Sequence, residues 1–173
     1  GQTVSVTLHA RPVCPVREFP MHVVLVLDGS ESMAGSASRT MKQSARRFVQ
    51  DLSLDPSRPI EVGVVDYNTT ARTLCQLGTD ESDVLRCIDK AGAVGQARME
   101  SGLTEGLRAL AQARRGVDRS FMLEVMIVMS DCQNVDGCAA ALQQASSVKG
   151  QGVLLATVCV SNACDDACMR QIA

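Results

Sequence analysis

Two stretches of this chain are apolar, or nearly so, on every face, and each ends in an aspartate. Residues 23–27 read VVLVL and run into Asp28; residues 121–131 read FMLEVMIVMSD. A strand with one wet face alternates apolar and polar side chains. An unbroken apolar run needs cover on both sides, and strands of that kind belong to parallel sheets sandwiched between helices. Neither run needs a carboxylate for packing. The sequence that follows the first, DGSES, adds two serines spaced by two, so the end of that strand offers one negative charge and several neutral oxygens.

The rest of the chain alternates accordingly. Residues 3–9 (TVSVTLH) have the period-two pattern of a strand, and residues 11–20, with three prolines, read as a connector. A domain then occupies 21–173. After the first buried strand, Met41, Ala45, Phe48, Val49 and Leu52 share one helical face, and Pro56 and Pro59 end that segment. IEVGVVDY (60–67) and residues 71–77 are strands joined by the short turn NTT, which predicts a hairpin and an antiparallel second strand. Thr79 or Asp80 caps a helix carrying Val84, Leu85, Ile88 and Ala91. Residues 92–103 read as loop, followed by a helix through Leu107, Leu110, Ala111 and Arg114 that Gly116 closes. A further helix spans about 138–149, GVLLATVCV is the next strand, and 165–173 begins a last helix. The expected fold is α/β: a central, mostly parallel sheet with one antiparallel edge strand and helices on both faces. In such sheets ligands bind at the carboxyl ends of the strands. Asp28 and Asp131 fall at that edge.

Composition limits the function. At 173 residues the chain is one domain in size, and with 46% apolar but 2% aromatic residues its core is built from aliphatic side chains and methionine. A net charge of −2 gives no electrostatic case for nucleic acid or anionic membrane. No 18-residue apolar run is present to cross a bilayer. The first residue is glycine and the last lies inside an apparent helix, so part of a larger protein is expected. Eight cysteines, at 14, 75, 87, 132, 138, 159, 164 and 168, fit disulfides and an oxidising compartment better than zinc, whose paired C-x2-C knuckles are missing. Placement suggests Cys75–Cys87, Cys132–Cys138, Cys164–Cys168 and, by remainder, Cys14–Cys159, although Cys159 also reads as a small buried hydrophobe. A Cys132–Cys138 bridge would stiffen the loop beside Asp131.

Asp28, Ser30 and Ser32 form D-x-S-x-S on a strand-to-helix turn, where alternate residues point the same way. Asp131 arrives from another strand end, and Thr104, in SGLTEGLRAL, adds a hydroxyl. Five oxygen donors without Cys or His suit a hard divalent cation, Mg²⁺, Mn²⁺ or Ca²⁺. Because most of these donors are neutral, a bound ion stays electrophilic and open to a Glu or Asp oxygen from another protein.

At these residues the sequence resembles the von Willebrand factor type A domain family, which includes integrin inserted domains. DGSES matches that family's metal-ion-dependent adhesion motif (MIDAS) at Asp28, Ser30 and Ser32. GLTEGLRAL is similar to its G-x-T-x-x-x-x-A-L segment at Thr104, and VMIVMSD to its strand ending in T/S-D at Asp131. The resemblance covers about 21–173 and implies a Rossmann-like fold and metal-mediated protein binding, often in adhesion. Three residues depart from the family pattern. Glu31 replaces a small residue, Cys132 a glycine, and Leu103 a glycine before the threonine, which leaves Ser101 as the alternative hydroxyl.

The plainer readings are weaker or local. Helix capping by Asp28 and the serines leaves Thr104 and Asp131 unexplained. His9 and His22 are lone and structural, the Arg46–Arg47 and Arg114–Arg115 pairs are solvated partners of helix ends, and Asn68-Thr69-Thr70 is a glycosylation sequon only in a eukaryotic secretory setting. An aspartyl phosphatase would need a second aspartate where Ser30 stands, and no P-loop or G-x-S-x-G is present. The expectation is a non-enzymatic, cation-dependent protein-binding or adhesion module of extracellular, cell-surface or periplasmic location. The alternative is a structural or assembly domain whose metal only holds its loops.

Overall fold

A computed structural model describes residues 19–114, 121–161 and 164–173. The predicted strand at 3–9, most of the connector, His9, Cys14, Arg115 and Gly116 lie outside these residues.

Among the described residues, five strands form one sheet. β1 (Met21–Asp28) lies at its centre, hydrogen-bonded in parallel to β2 (Ile60–Tyr67) on one side and β4 (Leu123–Ser130) on the other. β5 (Leu154–Cys159) extends the sheet in parallel beyond β4. β3 (Ala71–Gly78) pairs antiparallel with β2, as its short turn predicts, giving the order β3-β2-β1-β4-β5. The helices are α1 (Ser36–Leu52), α2 (Glu81–Asp89), α3 (Met99–Ala113), α4 (Ala139–Gly150) and α5 (Asp166–Ile172).

The all-apolar reading of β1 is explained by its neighbours. Val24 and Val26 face a core with Val65, Tyr67, Met126 and Val128 beneath α3, α4 and α5. Val23, Leu25 and Leu27 face the opposite core, with Val62, Val64, Ile127 and Met129 beneath α1 and α2. Successive side chains thus serve two cores, which is the packing that a period-two strand must adopt when covered twice. β5 differs: it is an edge strand, with Leu154 57% exposed and Cys159 also exposed, so Cys159 is not a buried core residue.

One element departs from the sequence reading. α3 begins at Met99, so the last five residues of the expected 92–103 loop are helix. Gly102 and Gly106, residues more typical of loops, are packing devices in this helix. A Cβ on Gly102 would lie 2.7 Å from the Tyr67 ring and 3.0 Å from Val26, so glycine lets α3 approach the sheet. Arg114 is also corrected. It is not a solvated partner of the helix end but pairs with buried Glu124 at 2.5 Å, its own side chain only 13% exposed. His22, structural as expected, is buried with Nε2 3.6 Å from Glu61.

Candidate metal site and the sulfur cluster beside it

β1 stops at Asp28 because the chain must turn there. Gly29 lies against Asp66, and a Cβ at that position would fall 2.2 Å from the Asp66 Oδ1 atom. Only glycine lets the turn pass. The turn is laced to the neighbouring loop: Val94 N–H donates to Gly29 O at 2.8 Å, and Glu31 N–H donates to Gly95 O at 2.8 Å. A 3-10 turn follows at Glu31–Met33, with Met33 buried as its anchor.

The Asp28 carboxylate is wholly buried. Its Oδ1 accepts from Ser30 N–H at 2.9 Å. Its Oδ2 accepts from the Tyr67 hydroxyl at 3.0 Å and the Ser130 hydroxyl at 2.5 Å. Ser30 Oγ and Ser32 Oγ lie 3.1 Å apart. Asp131, 2% exposed, follows β4; its Oδ1 accepts from Gln133 N–H at 3.1 Å. Burial, with a smaller contribution from the Asp131 charge, raises the Asp28 pKa above the ordinary carboxylate value, against the lowering effect of the Ser130 and Ser30 hydrogen bonds. Among the described residues neither Asp28 nor Asp131 has a Lys or Arg ion-pair partner. The two acids are near enough for the Asp131 charge to act on Asp28, and the hydrogen-bond donors to both are neutral.

The residues that follow the two acids, Ser30, Glu31 and Ser32 after Asp28 and Gln133 and Val135 after Asp131, line an open cleft of about 310 Å³ together with the 95–97 loop. The structure therefore brings Asp28, Ser30, Ser32 and Asp131 to one place. It does not bring Thr104 there. Thr104 is exposed on the second turn of α3, and its hydroxyl donates to Glu100 O at 2.8 Å. The alternative, Ser101, likewise donates to Arg98 O at 2.7 Å. Because α3 starts at Met99, both residues belong to the helix, and the loop that reaches the cleft contributes Gln96 instead.

Sequence reasoning passed over three supporting residues. Tyr67 and Ser130 hold Asp28, and their signal was register: β-pairing sets Tyr67 opposite Asp28, and Ser130 precedes Asp131. Asn134 ties the β4 loop to α3, its Oδ1 accepting from Met99 N–H at 3.3 Å.

The cysteines pair differently from the expectation in all but one case. Cys75–Cys87 is present and staples α2 to the edge strand β3. Cys132–Cys138 and Cys164–Cys168 are not formed. Cys138 pairs with Cys168, which α5 turns into the core, and Cys164 closes a short loop onto Cys159. The Cys14–Cys159 pairing is thereby excluded. Cys132 is a free, buried thiol in the left-handed region, at φ 58°. Burial first, then the charges of Asp165, Asp131 and Asp28, push this thiol up to about 12.

The fold matches solved structures at low identity. Proximal thread matrix protein 1 from the mussel byssus, described with a zinc-occupied MIDAS motif, superposes with a TM-score of 0.70 at 21% identity, covering 90% of this chain and 39% of that one. The manganese-loaded TRAP protein of Plasmodium vivax gives 0.68 at 23% identity, over 90% of this chain and 63% of that one. An aerotolerance-related membrane protein of Bacteroides fragilis gives 0.69 at 17% identity, over 88% and 86%. The chain thus spans less than two thirds of the first two proteins. A search of curated proteins finds no match. Residues 22–173 match the family model of the von Willebrand factor type A domain, a span that takes in every described helix and, but for Met21, every described strand, and the chain belongs to that family.

Proposed function

We propose that the cleft at the carboxyl edge of the sheet is a divalent-cation site through which the domain binds an acidic side chain of another protein. The observation that carries this reading is the pair of adjacent buried carboxylates, Asp28 and Asp131, without a basic partner among the described residues. Buried acids are ordinarily paired, because an uncompensated charge in the interior is costly. Here the missing charge fits a mobile cation better than a fixed side chain.

The donors present fit a hard ion such as Mg²⁺, Mn²⁺ or Ca²⁺: carboxylate oxygens from Asp28 and Asp131 and hydroxyls from Ser30 and Ser32. Thr104 is left out of the set, and Gln96, at the cleft, is the residue placed to supply a further neutral oxygen. When bound, the cation would supply an electrophilic centre open to an incoming carboxylate. The chain's own task is orientation. Tyr67 and Ser130 fix the Asp28 carboxylate, Ser30 N–H holds its other oxygen, and the 94–95 loop braces the turn. Glu31, exposed at the cleft, attracts cations but competes with an acidic partner, so it tunes the site.

The manganese in TRAP and the zinc at the MIDAS of the mussel protein support a divalent ion in this fold. Disulfides support an extracellular, cell-surface or periplasmic setting. A pilus tip protein of Porphyromonas gingivalis among the structural neighbours is in keeping with it. No helix among the described residues is long and apolar enough to cross a membrane. The role proposed for the cleft is binding, not catalysis.

Titration calorimetry with Mn²⁺ on the wild-type chain and on Asp131→Asn tests the site. Saturable binding by the wild type, and its loss in the variant, is expected. A glutamate-bearing peptide should then bind in Mn²⁺ and release in EDTA. Mn²⁺ uptake that raises thermal stability without ever recruiting an acidic ligand would favour a purely loop-holding metal.

A further inference from the structure

Three sulfurs occupy a space in which two are bonded. Cys138, at the start of α4, is joined to Cys168 of α5, and the Cys132 Sγ lies 2.8 Å from the Cys168 Sγ. All three sulfurs lie within 4.8 Å of one another. Cys132 and Cys168 are buried, and Cys138 is partly exposed. The cluster is wired to the strand ends. Cys132 follows Asp131 directly, and its N–H donates to the Ser130 hydroxyl at 2.7 Å, which in turn donates to Asp28. From α5, Asp165 N–H donates to Asp131 O at 3.0 Å.

We propose that this cluster is a thiol–disulfide exchange site, in which Cys132 and Cys138 alternate as the partner of Cys168, and that the isomer present sets cation affinity at Asp28 and Asp131. The second half rests on the metal reading above; the first does not. The step balances without any external oxidant. The Cys132 sulfur, having lost its proton, attacks the Cys168 sulfur. The Cys132–Cys168 bond forms as the Cys138–Cys168 bond breaks, the electron pair leaves on the Cys138 sulfur, and that sulfur takes up a proton. Attack falls on Cys168 because that is the sulfur in contact, and it expels the sulfur nearer to solvent. One isomer ties α5 to the start of α4. The other ties α5 to the residue after Asp131, which fixes the left-handed loop and holds Asp131 in place for a cation. Burial of Cys132 makes the exchange slow, so both isomers survive acid quenching.

The test uses the full chain in a Cys14→Ser background. Free thiols are alkylated after acid quench, and cleavage ahead of aspartates puts Cys132, Cys138 and Cys168 on separate peptides. Both Cys138–Cys168 and Cys132–Cys168 peptides are expected, with alkylation at Cys138 as well as Cys132. Cys138→Ser should form Cys132–Cys168. A chain linked only through Cys138, with Cys138 never alkylated, overturns the exchange whether or not the variant folds. Mn²⁺ titration of Cys138→Ser against Cys132→Ser should show at least threefold tighter binding in the former. Equal or weaker binding removes the coupling and leaves the exchange standing. If even the unsubstituted chain takes up no Mn²⁺, the metal reading fails while the peptide map still decides the exchange.

Discussion

Asp28 ends β1 and Asp66 is the next-to-last residue of β2, one register step away, and both are buried, at 0% and 1% exposure. Their surroundings differ in one respect. The β2–β3 hairpin sets Arg72 directly across from Asp66, and its guanidinium Nη2 lies 3.0 Å from the carboxylate, which also accepts from Gly92 N–H at 3.3 Å. Asp66 carries its own counter-charge and serves to brace the turn under Gly29. Asp28 is held by Tyr67, Ser130 and Ser30, all neutral. The same residue type at the same edge of the sheet is therefore a closed structural pair in one strand and an open charge in the next. What separates a brace from a site is whether the sequence supplies the opposite charge.

The largest test of that contrast is reciprocal. Asp28→Asn should cost about 100-fold or more in Mn²⁺ affinity, about 2.7 kcal/mol, while Arg72→Ala should leave that affinity within about twofold. Comparable losses in both would erase the distinction. Chemical unfolding without cation should show the converse: Arg72→Ala destabilises by about 1–2 kcal/mol because it strands a buried carboxylate, the figure being held down by the 63% exposure of the Arg72 side chain.

Acid titration sharpens the comparison next. The Asp28 pKa in the folded chain is raised, so the folded state binds its proton more readily than the unfolded chain does. Its contribution is fully favourable below the unfolded value and is lost as pH rises through the folded one. Without cation, wild type should therefore gain stability relative to Asp28→Asn as pH falls through that window, and Mn²⁺ affinity should fall over the same range. A stability difference that stays flat with pH would contradict the burial of an uncompensated charge. Smaller effects are expected at the rim. Glu31→Gln should weaken Mn²⁺ binding by about twofold to fivefold, more at low salt than at high salt. Thr104→Ala should change affinity by less than about twofold and stability by under about 0.5 kcal/mol; a larger loss of affinity would return Thr104 to the site.

Much of this was legible in the residues. The runs ending at Asp28 and Asp131 pointed to the sheet and to the edge where the two acids lie, because a strand apolar on both faces needs cover on both. The NTT turn gave the antiparallel edge. What failed had physical causes. Gly102 and Gly106 look like loop residues yet allow close helix packing, so the start of α3 was missed and Thr104 was placed at a loop-to-helix junction although it lies inside the helix. Cysteine pairing depends on which faces α4 and α5 turn inward, and spacing along the chain does not contain that. Arg114 was read as solvated because its partner, Glu124, sits inside an apolar run where a charge is improbable without one.

The bond between Cys138 and Cys168 also has a mechanical meaning. It closes a loop of 30 residues that contains α4 and β5. Tension applied at residue 173 would run through the sulfur bridge to the start of α4, bypassing 139–167. The edge strand, held to α5 by the Thr157 hydroxyl on Met169 O, would be loaded only through that hydrogen bond and side-chain packing, and the first segment strained beyond the bridge would be the one that carries Asp131.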